Sequence, residues 1–452
     1  MKILHYALGF YPYRTGGLTA YVMDVMEEQK KQGHEPALLW PGTIRLLGKR
    51  QPSIKKSSKS GIISFEMINP LPVPLMEGVA DIPAYMRKCD KQIFVRFLEQ
   101  YQPEVIHIHT FMGLYAEFVQ AAGELHIPIA YTTHDYYPLC PTVNLNCHGE
   151  NCENGMEDEK CTCCNQGALP WWKILLMQSG TYRLLKNMTP LRKMRNQYHM
   201  EKQEQREVLS KVKQTLPYHM LKGYYKDMLQ AMNCILCNSP NAMEVYRRLG
   251  DVGRTRLVPI TNRKVKDRRR KQEYKAGSML AITYLGAAND AKGYFFLRDI
   301  LDELYQEGEN GFCLNIYTPV AEERVYQQVH EAYRTEEEME AVYENADILV
   351  VPSLWRETFG FVVLEALSFG IPVIVTEYVG AGSLIENGRN GYCIKAQKEE
   401  WKNCLRNLIQ NRDILTGMNE NIMSSSFEHS MEEHVRKLSQ IYSELKQSKE
   451  KI

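Results

Sequence analysis

The feature that most constrains the fold is the stretch of residues 352–376, PSLWRETFGFVVLEALSFGIPVIVT. The segment that leads into it, residues 347–352, is short and apolar, which is typical of a strand in a parallel sheet covered on both faces. Residues 360–369 form an almost wholly apolar helical segment, which indicates a buried helix. Residues 373–375 return as a strand. The stretch therefore predicts an α/β fold built on parallel sheets.

Glu365 lies in the middle of this apolar helix, where a carboxylate without a partner is costly. Glu357 lies in the preceding loop, and the backbone N–H groups of Thr358, Phe359 and Gly360 should be unpaired at the helix start, a setting that binds phosphate. One geometry accounts for these features: a diphosphate at the helix start, a vicinal diol such as ribose on Glu365, and Glu357 near the group beyond the phosphates. The alternative is a structural strand–helix corner with Glu365 bonded to protein donors.

Residues 357–374, ETFGFVVLEALSFGIPVI, resemble the paired-glutamate motif of retaining nucleotide-sugar glycosyltransferases that have two Rossmann-like domains facing a central cleft, the GT-B architecture. More narrowly, the segment is similar to glycosyltransferase family 4, also described as glycosyl transferases group 1. The resemblance implies a hexosyltransferase that moves a sugar from a nucleotide-diphosphate sugar to a glycan or lipid-linked acceptor in bacterial envelope or exopolysaccharide synthesis. It also implies a retaining mechanism that requires no cofactor. Another GT-B-fold sugar-nucleotide enzyme is an alternative.

The same resemblance assigns roles in the C-terminal half. Glu357 is expected to contact the transferred sugar as a catalytic residue. Lys292, with the amides of Phe359 and Gly360, is expected to hold the donor diphosphate. In the family an arginine precedes the lysine, whereas Ala287 stands at that place here, and Arg356 is a candidate replacement.

In the N-terminal half, Gly16 and Gly17 lie at the first strand-to-helix turn, where the family has a glycine-rich loop that faces the donor. By themselves they would indicate a flexible turn. His134 follows the strand of residues 129–133, and such strand ends face the ligand crevice. The resemblance places a catalytic histidine there, near the donor sugar and phosphate, and the alternative is a structural histidine, the interpretation that we give to His107 and His109.

The chain of 452 residues is long enough for two domains of ordinary size. The spacing from Lys292 to Glu357 is short for the family, which predicts a trimmed βα unit. The expected segments are an N-terminal acceptor-side Rossmann-like domain (1–262) with a cysteine-rich insert (140–164) and a helical segment (170–230), a basic linker (263–278), a C-terminal nucleotide-sugar-binding Rossmann-like domain (279–430), and a last helix (431–452) that packs back on the N-terminal domain.

Half of the 12 cysteines fall within residues 140–164. In a reducing compartment such a density favours a structural zinc ion on four thiolates, with Cys140, Cys152, Cys161 and Cys164 as the candidate ligands. Free or redox-active thiols are an equal alternative, and disulfides are a third. A non-enzymatic, zinc-bearing scaffold is the corresponding alternative function.

The composition limits the partners of the chain. A net charge of +1 and the lack of an aromatic–basic strand pattern argue against nucleic acid. The sequence has neither a membrane-spanning apolar run nor a signal peptide, so we expect a cytoplasmic protein, at the inner face of the plasma membrane if its acceptor is lipid-linked. The segment that begins at Trp171 combines aromatic and basic residues, and residues 43–61 form an expected basic loop. Both suit peripheral membrane contact, although a helical subdomain with a buried apolar stripe is the alternative.

Overall fold

The computed structural model describes residues 1–449 except 12, 15, 46–49, 58–60, 148, 186–213, 276 and 334. The described chain forms one sheet of eight strands and, after it in sequence, one of six strands. A separate two-stranded hairpin is inserted between two strands of the first sheet. The strand pairs are parallel apart from one edge pair and the hairpin. The α/β fold with two Rossmann-like domains is thereby confirmed.

The first sheet belongs to the N-terminal half. Its strands and the hairpin are β1 (Lys2–Tyr6), β2 (Glu35–Pro41), β3 (Ser53–Ser57), β4 (Ile63–Ile68), β5 (Val105–Ile108), β6 (Ile129–Thr133), β7 (Asn146–Cys147), β8 (Glu150–Asn151), β9 (Cys234–Cys237) and β10 (Thr255–Leu257). The helices of this half are α1 (Gly17–Lys31), α2 (Ile82–Tyr85), α3 (Gln92–Tyr101), α4 (Ala116–Glu124), α5 (Asp158–Cys164), α6 (Trp171–Met177), α7 (Gly180–Leu185), α8 (Tyr218–Gln230) and α9 (Pro240–Gly250). The strands lie in the order β10-β9-β6-β5-β1-β2-β4-β3.

The second sheet belongs to the C-terminal half. Its strands are β11 (Leu280–Tyr284), β12 (Phe312–Ile316), β13 (Gln327–Val329), β14 (Ile348–Val351), β15 (Val373–Thr376) and β16 (Gly391–Ile394). The helices that follow are α10 (Tyr294–Gln306), α11 (Glu336–Glu344), α12 (Phe361–Ser368), α13 (Lys398–Gln410), α14 (Arg412–Ser424) and α15 (Met431–Lys449). The order β13-β12-β11-β14-β15-β16 is that of a Rossmann fold.

The strand order reverses at one point in each sheet: between β1 and β5 in the first, and between β11 and β14 in the second. Ligands of open α/β sheets bind at the carboxyl ends of the strands that flank such a reversal. A ligand is therefore expected at the loops after β11 and β14 in the C-terminal half. In the N-terminal half it is expected at the loops after β1 and β5.

Local sequence explains why several helices begin where they do. Ser239 caps α9, since its side chain accepts a hydrogen bond from the backbone N–H of Ala242 at 3.1 Å. Thr335 and Glu338 form a reciprocal capping box at the start of α11.

The last helix, α15, lies against the first domain. The Tyr21 hydroxyl on α1 is 2.7 Å from His434 Nε2 on α15, and Gln32 donates to the carbonyl of Glu432. One apolar cluster is continuous from α1 through α15 to α12, because it contains Val22, Val435 and Val363 together. The two domains thus share buried apolar surface near the crevice.

Residues 263–278, the predicted linker, are irregular where described and carry ion pairs in both directions. Arg263 pairs with Asp24 on α1, and Lys266 pairs with Glu336 on α11 at 2.6 Å. Basic residues of this segment are therefore used in surface ion pairs, which contribute little stability individually.

Two sequence expectations need correction or qualification. Residues 43–61 are not one loop, because residues 53–57 form β3, which pairs antiparallel with β4. Its polar composition made it look like a loop, because an edge strand with one solvent-exposed face needs few apolar residues.

The β12–β13 connection has no helix in its described residues, which agrees with the expectation of a trimmed βα unit. Of the predicted helical segment, residues 186–213 lie outside the described residues, including most of its basic run.

No helix in the described ranges is both long and apolar enough to cross a membrane.

Candidate active site

A lysine and a glutamate meet at the reversal point of the second sheet. Lys292 lies in the loop after β11 and Glu357 in the loop after β14. The Lys292 Nζ is 2.9 Å from Glu357 Oε1, and the two side chains are 32% and 10% exposed. The sequence predicted both residues for the site, and the structure brings them into one ion pair in the crevice.

The surroundings of this pair hold it in place. Ser353 Oγ also donates to the Glu357 carboxylate, and the Lys292 ammonium lies 5.1 Å from the centre of the Trp355 ring. A Cβ on Gly293 would lie 1.8 Å from the carbonyl oxygen of Pro352. Only glycine allows the two loops to approach so closely, so local sterics position Lys292 against the second loop.

The start of α12 presents free backbone donors beside the pair. Among the described residues, none accepts a hydrogen bond from the N–H groups of Thr358, Phe359 or Gly360. The carbonyl oxygen of Phe359, by contrast, accepts a hydrogen bond from the Ala381 N–H at 2.7 Å. Unpaired N–H groups at a helix N-terminus favour an anion, and Lys292 adds a positive charge next to them.

Glu365 is 7% exposed on α12 and has two protein donors. The Tyr343 hydroxyl donates to Oε2 at 2.8 Å, and the Asn262 amide donates to Oε1 at 3.2 Å. Sequence reasoning did not identify these partners, and they are what the structural alternative requires. Both donors are neutral, however, so they leave the carboxylate charge uncompensated and each oxygen with further accepting capacity.

A cavity of about 650 Å³ lies between the second sheet and α11. The rings of Tyr317 and His330 stack at its wall with their centres 4.7 Å apart. Tyr333 lines the same cavity, and burial together with the Glu365 carboxylate raises its pKa to about 12. No local sequence motif predicted a contact in this region, because the βα unit there is trimmed.

The first domain faces the start of α12 with two of the predicted residues. A Cβ on Gly17 would lie 3.5 Å from the Phe361 ring. The Thr358 hydroxyl donates to the carbonyl oxygen of His134 at 2.9 Å. Gly16 has a φ of 122° with open space around it, so this turn requires glycine for its backbone conformation rather than for a tight contact. These two strand-end loops of the first domain therefore reach the start of α12.

His134 is the outer member of a row of hydrogen-bonded side chains that leads into the core. Its Nε2 is 3.2 Å from His109 Nδ1, His109 Nε2 is 3.0 Å from His5 Nδ1, and His5 Nε2 is 2.8 Å from the Gln29 amide oxygen. Burial lowers the pKa of His134 to about 3 and that of His5 to about 4. These rings are therefore neutral near pH 7, and His134 acts as a neutral hydrogen-bonding group.

His5, His107 and His109 also form a group with potential metal-ligand atoms within 4.8 Å of one another in the described chain. Each of the two nitrogens of His107 already has a partner, the Tyr442 hydroxyl at 2.6 Å and the Thr132 hydroxyl at 2.7 Å. The nitrogens of His5 and His109 are likewise bonded. The group is thus a hydrogen-bonded core, as expected for His107 and His109.

Asn238 is a crevice residue that the sequence analysis missed. It follows β9 directly, next to His134, because Thr133 and Cys237 are register partners. The side chain is buried, and neither amide atom has a hydrogen-bond partner in the described part of the protein. A buried, unsatisfied amide at a strand end is a candidate ligand group, and its position after a buried strand was the available signal.

Arg356 is engaged by a carboxylate of the first domain. Its guanidinium pairs with Glu153 of the cysteine-rich insert at 2.5 Å, although its Nε has no partner among the described residues. The structure therefore does not place it where the missing arginine at Ala287 would act, and Lys292 is the cation that lies against Glu357.

The four predicted metal ligands, Cys140, Cys152, Cys161 and Cys164, line one small cavity, and Cys147 joins them. None of these five cysteines forms a disulfide in the structure. Burial raises the pKa of Cys161 to about 12 and that of Cys152 to about 11.

Comparison with known proteins agrees with this geometry. The profile described as Glycosyltransferase Family 4 matches residues 15–155, and that described as Glycosyl transferases group 1 matches residues 321–424. Together they cover more than half of the chain. The D-inositol 3-phosphate glycosyltransferase of Corynebacterium jeikeium (strain K411) is 33% identical over 115 residues, which are 25% of this chain and 27% of that protein. The corresponding enzyme of Rhodococcus erythropolis (strain PR4 / NBRC 100887) is 35% identical over 74 residues, 16% of each chain.

These alignments span about a quarter or less of the length of the curated relatives. Solved structures match over nearly the whole chain at low identity. Anabaena Alr3699/HepE in complex with UDP and glucose gives a TM-score of 0.57 at 12% identity, over 98% of this chain and 99% of that one. WaaG, a glycosyltransferase involved in lipopolysaccharide biosynthesis, gives 0.54 at 13% identity, with the same shares of 98% and 99%. The chain therefore belongs to the glycosyltransferases of GT-B architecture, of the family 4 and group 1 type.

Proposed function

We propose that the chain transfers a sugar from a nucleotide-diphosphate sugar to a hydroxyl acceptor with retention at the anomeric carbon. The observation that carries this proposal is the Lys292–Glu357 pair next to the unpaired amides at the start of α12. It combines an anion site, a cation and a carboxylate at the point where a Rossmann-type sheet binds ligands.

The donor diphosphate would occupy the start of α12. As the bond to the anomeric carbon breaks, negative charge grows on the departing diphosphate. Lys292 and the amides of Phe359 and Gly360 would lie beside that charge, so their stabilisation would be greatest in the transition state. This chemistry places no demand on a bound metal.

Glu357 would then exchange partners. In the free protein its carboxylate is held by Lys292 and Ser353. A diphosphate competes for the lysine, which releases Glu357 to accept hydrogen bonds from the hydroxyls of the transferred sugar. His134 and the unpartnered amide of Asn238 lie across the crevice and would contact the sugar or the acceptor.

Glu365 would bind the ribose diol. Its bond to Tyr343 is short and buried, whereas its bond to Asn262 is longer and only partly buried. The diol is expected to take the Asn262 side, and the base would enter the cavity of about 650 Å³ lined by Tyr333. The complex of the structurally similar HepE with UDP and glucose supports a nucleotide donor.

Retention rests on the resemblance of the motif from Glu357 to Glu365. The curated relatives are D-inositol 3-phosphate glycosyltransferases, which supports a polyol phosphate as one candidate acceptor.

A lipid-linked glycan at the inner membrane surface is the other candidate acceptor, and the exposed apolar side of α6 supports it. Trp172, Leu176 and Met177 are 49%, 44% and 40% exposed, with Lys173 between them in sequence. Arg50 lies over the neighbouring Trp171 ring at 5.4 Å, which adds positive charge toward anionic headgroups.

Replacement of Glu365 by glutamine or alanine is expected to weaken nucleotide binding by about ten- to a hundredfold, because charge-assisted hydrogen bonds to two hydroxyls are lost. Isothermal titration with nucleoside diphosphates would measure the change. Glu344→Ala, at an exposed position on α11, is the matched control and should bind as the wild type does. An unchanged affinity in both Glu365 variants would rule out the ribose assignment.

A further inference from the structure

The cysteine-rich insert of residues 140–164 has an interior of its own. The side chains of Cys140, Cys147, Cys152, Cys161 and Cys164 line one small cavity of about 10 Å³. Such a volume holds a single water-sized particle. Five thiols around one such space are far more than apolar packing of a short loop requires.

The thiols contact weak hydrogen-bonding partners within the insert, and Cys140 Sγ lies 3.3 Å from the Thr142 hydroxyl. Cys147 Sγ lies 4.0 Å from the carbonyl oxygen of Lys160, and Cys164 Sγ lies 3.9 Å from that of Asn146. A thiol is a weak hydrogen-bonding group even at better distances, so these contacts do not explain the convergence of the sulfur atoms.

One further contact is typical of a metal-bound thiolate. The backbone N–H of Glu157 donates to Cys161 Sγ at 3.3 Å. An amide that points at a cysteine sulfur stabilises the thiolate form, and such outer contacts orient the ligands of metal sites. Cys161 and Cys164 also share one face of α5, since they are separated by one helical turn.

We propose that Cys140, Cys152, Cys161 and Cys164 bind one zinc ion in a closed, structural site. Four thiolates complete the tetrahedral coordination of Zn²⁺. Cys147, on the hairpin, lines the same space and is not needed for a four-sulfur set. Binding of the metal replaces four S–H bonds by Zn–S bonds and releases four protons to solvent.

The insert contracts in this proposal. Zinc-bound thiolates lie about 3.8 Å apart, as Zn–S bonds of about 2.3 Å in a tetrahedron require. In the described residues, the three core histidines have their potential ligand atoms within 4.8 Å of one another, whereas the cysteines of the insert form no such group. The sulfur atoms are therefore spread more widely than a bound ion would leave them, and the ion would draw the hairpin and α5 together.

The insert contacts the loop that follows β14, so a zinc ion in the insert would also affect that loop. Asn151 on the hairpin donates to the carbonyl oxygen of Leu354 at 3.3 Å, and Glu153 pairs with Arg356. Both partners belong to the loop that carries Glu357. A zinc-stiffened insert would brace that loop from the first domain, so the site is proposed as a positioning element.

The test is the metal content of the full chain, purified under reducing conditions. We expect about one equivalent of zinc in the wild type and in Cys163→Ser, and less than about 0.2 equivalents in Cys161→Ser. Cys163 is the matched control, because it lies on the same helix without lining the cavity. A strong chelator should lower the thermal midpoint of the wild type and of Cys163→Ser and accelerate proteolysis within the insert.

A second measurement does not depend on the folding of any variant. Cobalt(II) loaded in place of zinc should give the absorption bands of four-thiolate tetrahedral coordination, which zinc then abolishes. The proposal is overturned if the reduced wild type holds less than about 0.2 equivalents after zinc loading, if Cys161→Ser retains the metal, or if alkylation and mass spectrometry show the cluster cysteines joined by disulfides. None of these outcomes depends on sugar transfer, so the zinc site and the proposed function fail separately.

Discussion

Replacement of Glu357 by alanine is expected to reduce turnover of the nucleotide-sugar donor by at least about a hundredfold, because a preorganised charged contact to the sugar is lost at the reacting centre. Glu357 is 10% exposed and faces Lys292 at 2.9 Å. Lys292 is more exposed, so water can solvate its ammonium after the substitution and the fold should persist. The measurement is the rate of nucleoside diphosphate release.

Two comparisons make this result specific. Glu357→Gln keeps the volume and removes the charge, and it should lose nearly as much activity as the alanine variant. Glu399→Ala removes an exposed carboxylate on α13 and should leave turnover unchanged. Circular dichroism and the thermal midpoint report whether each variant is folded. A Glu357→Ala protein that turns over within about twofold of the wild type would refute the assigned role.

The protein is expected to lose stability steeply as the pH falls from about 6.5 toward 4. Burial lowers the pKa of His5 and His434 to about 4 and that of His134 to about 3. In this range the unfolded chain binds protons at these positions while the native protein does not. Each such proton removes about 1.4 kcal/mol of unfolding free energy per pH unit, so three histidines together give a decrease of roughly 4 kcal/mol per pH unit.

Urea unfolding at pH 7, 6 and 5 would measure this decrease. His5→Gln removes one of the buried imidazoles and should make the pH dependence shallower. His126→Asn is the control, since His126 is exposed at a positive φ of 52° that asparagine tolerates. A free energy of unfolding that stays constant from pH 7 to pH 5 would show that these rings are not buried in their neutral form.

The parts of the fold that were predictable are those where burial imposes a continuous apolar sequence. The strands of residues 129–133 and 348–351 are buried along their whole length, and their period and length were sufficient to find them. The polar edge strands β3 and β13 were missed for the opposite reason. An edge strand needs few apolar side chains, so its sequence resembles a loop.

The residues of the candidate site fall into the same two groups, those that a local sequence pattern predicts and those that it does not. Lys292 and Glu357 were predictable because each sits at a fixed position in a local motif, and the motif determines which strand end carries it. Tyr343 and Asn262, the donors to Glu365, come from other elements and from distant sequence. No local pattern encodes them. Asn238 is intermediate, because its strand end was recognised but its unsatisfied amide becomes visible only in three dimensions.

The central claim is that the crevice at Lys292, Glu357 and Glu365 binds a nucleotide-diphosphate sugar. A thermal-shift screen of the wild-type protein against UDP-, GDP- and ADP-sugars tests it most directly. Ligand at about a hundred times its Kd stabilises a protein by about 2.7 kcal/mol, so one nucleotide class should raise the unfolding midpoint by several degrees. If no nucleotide-sugar raises the midpoint even at millimolar concentration, the account is contradicted.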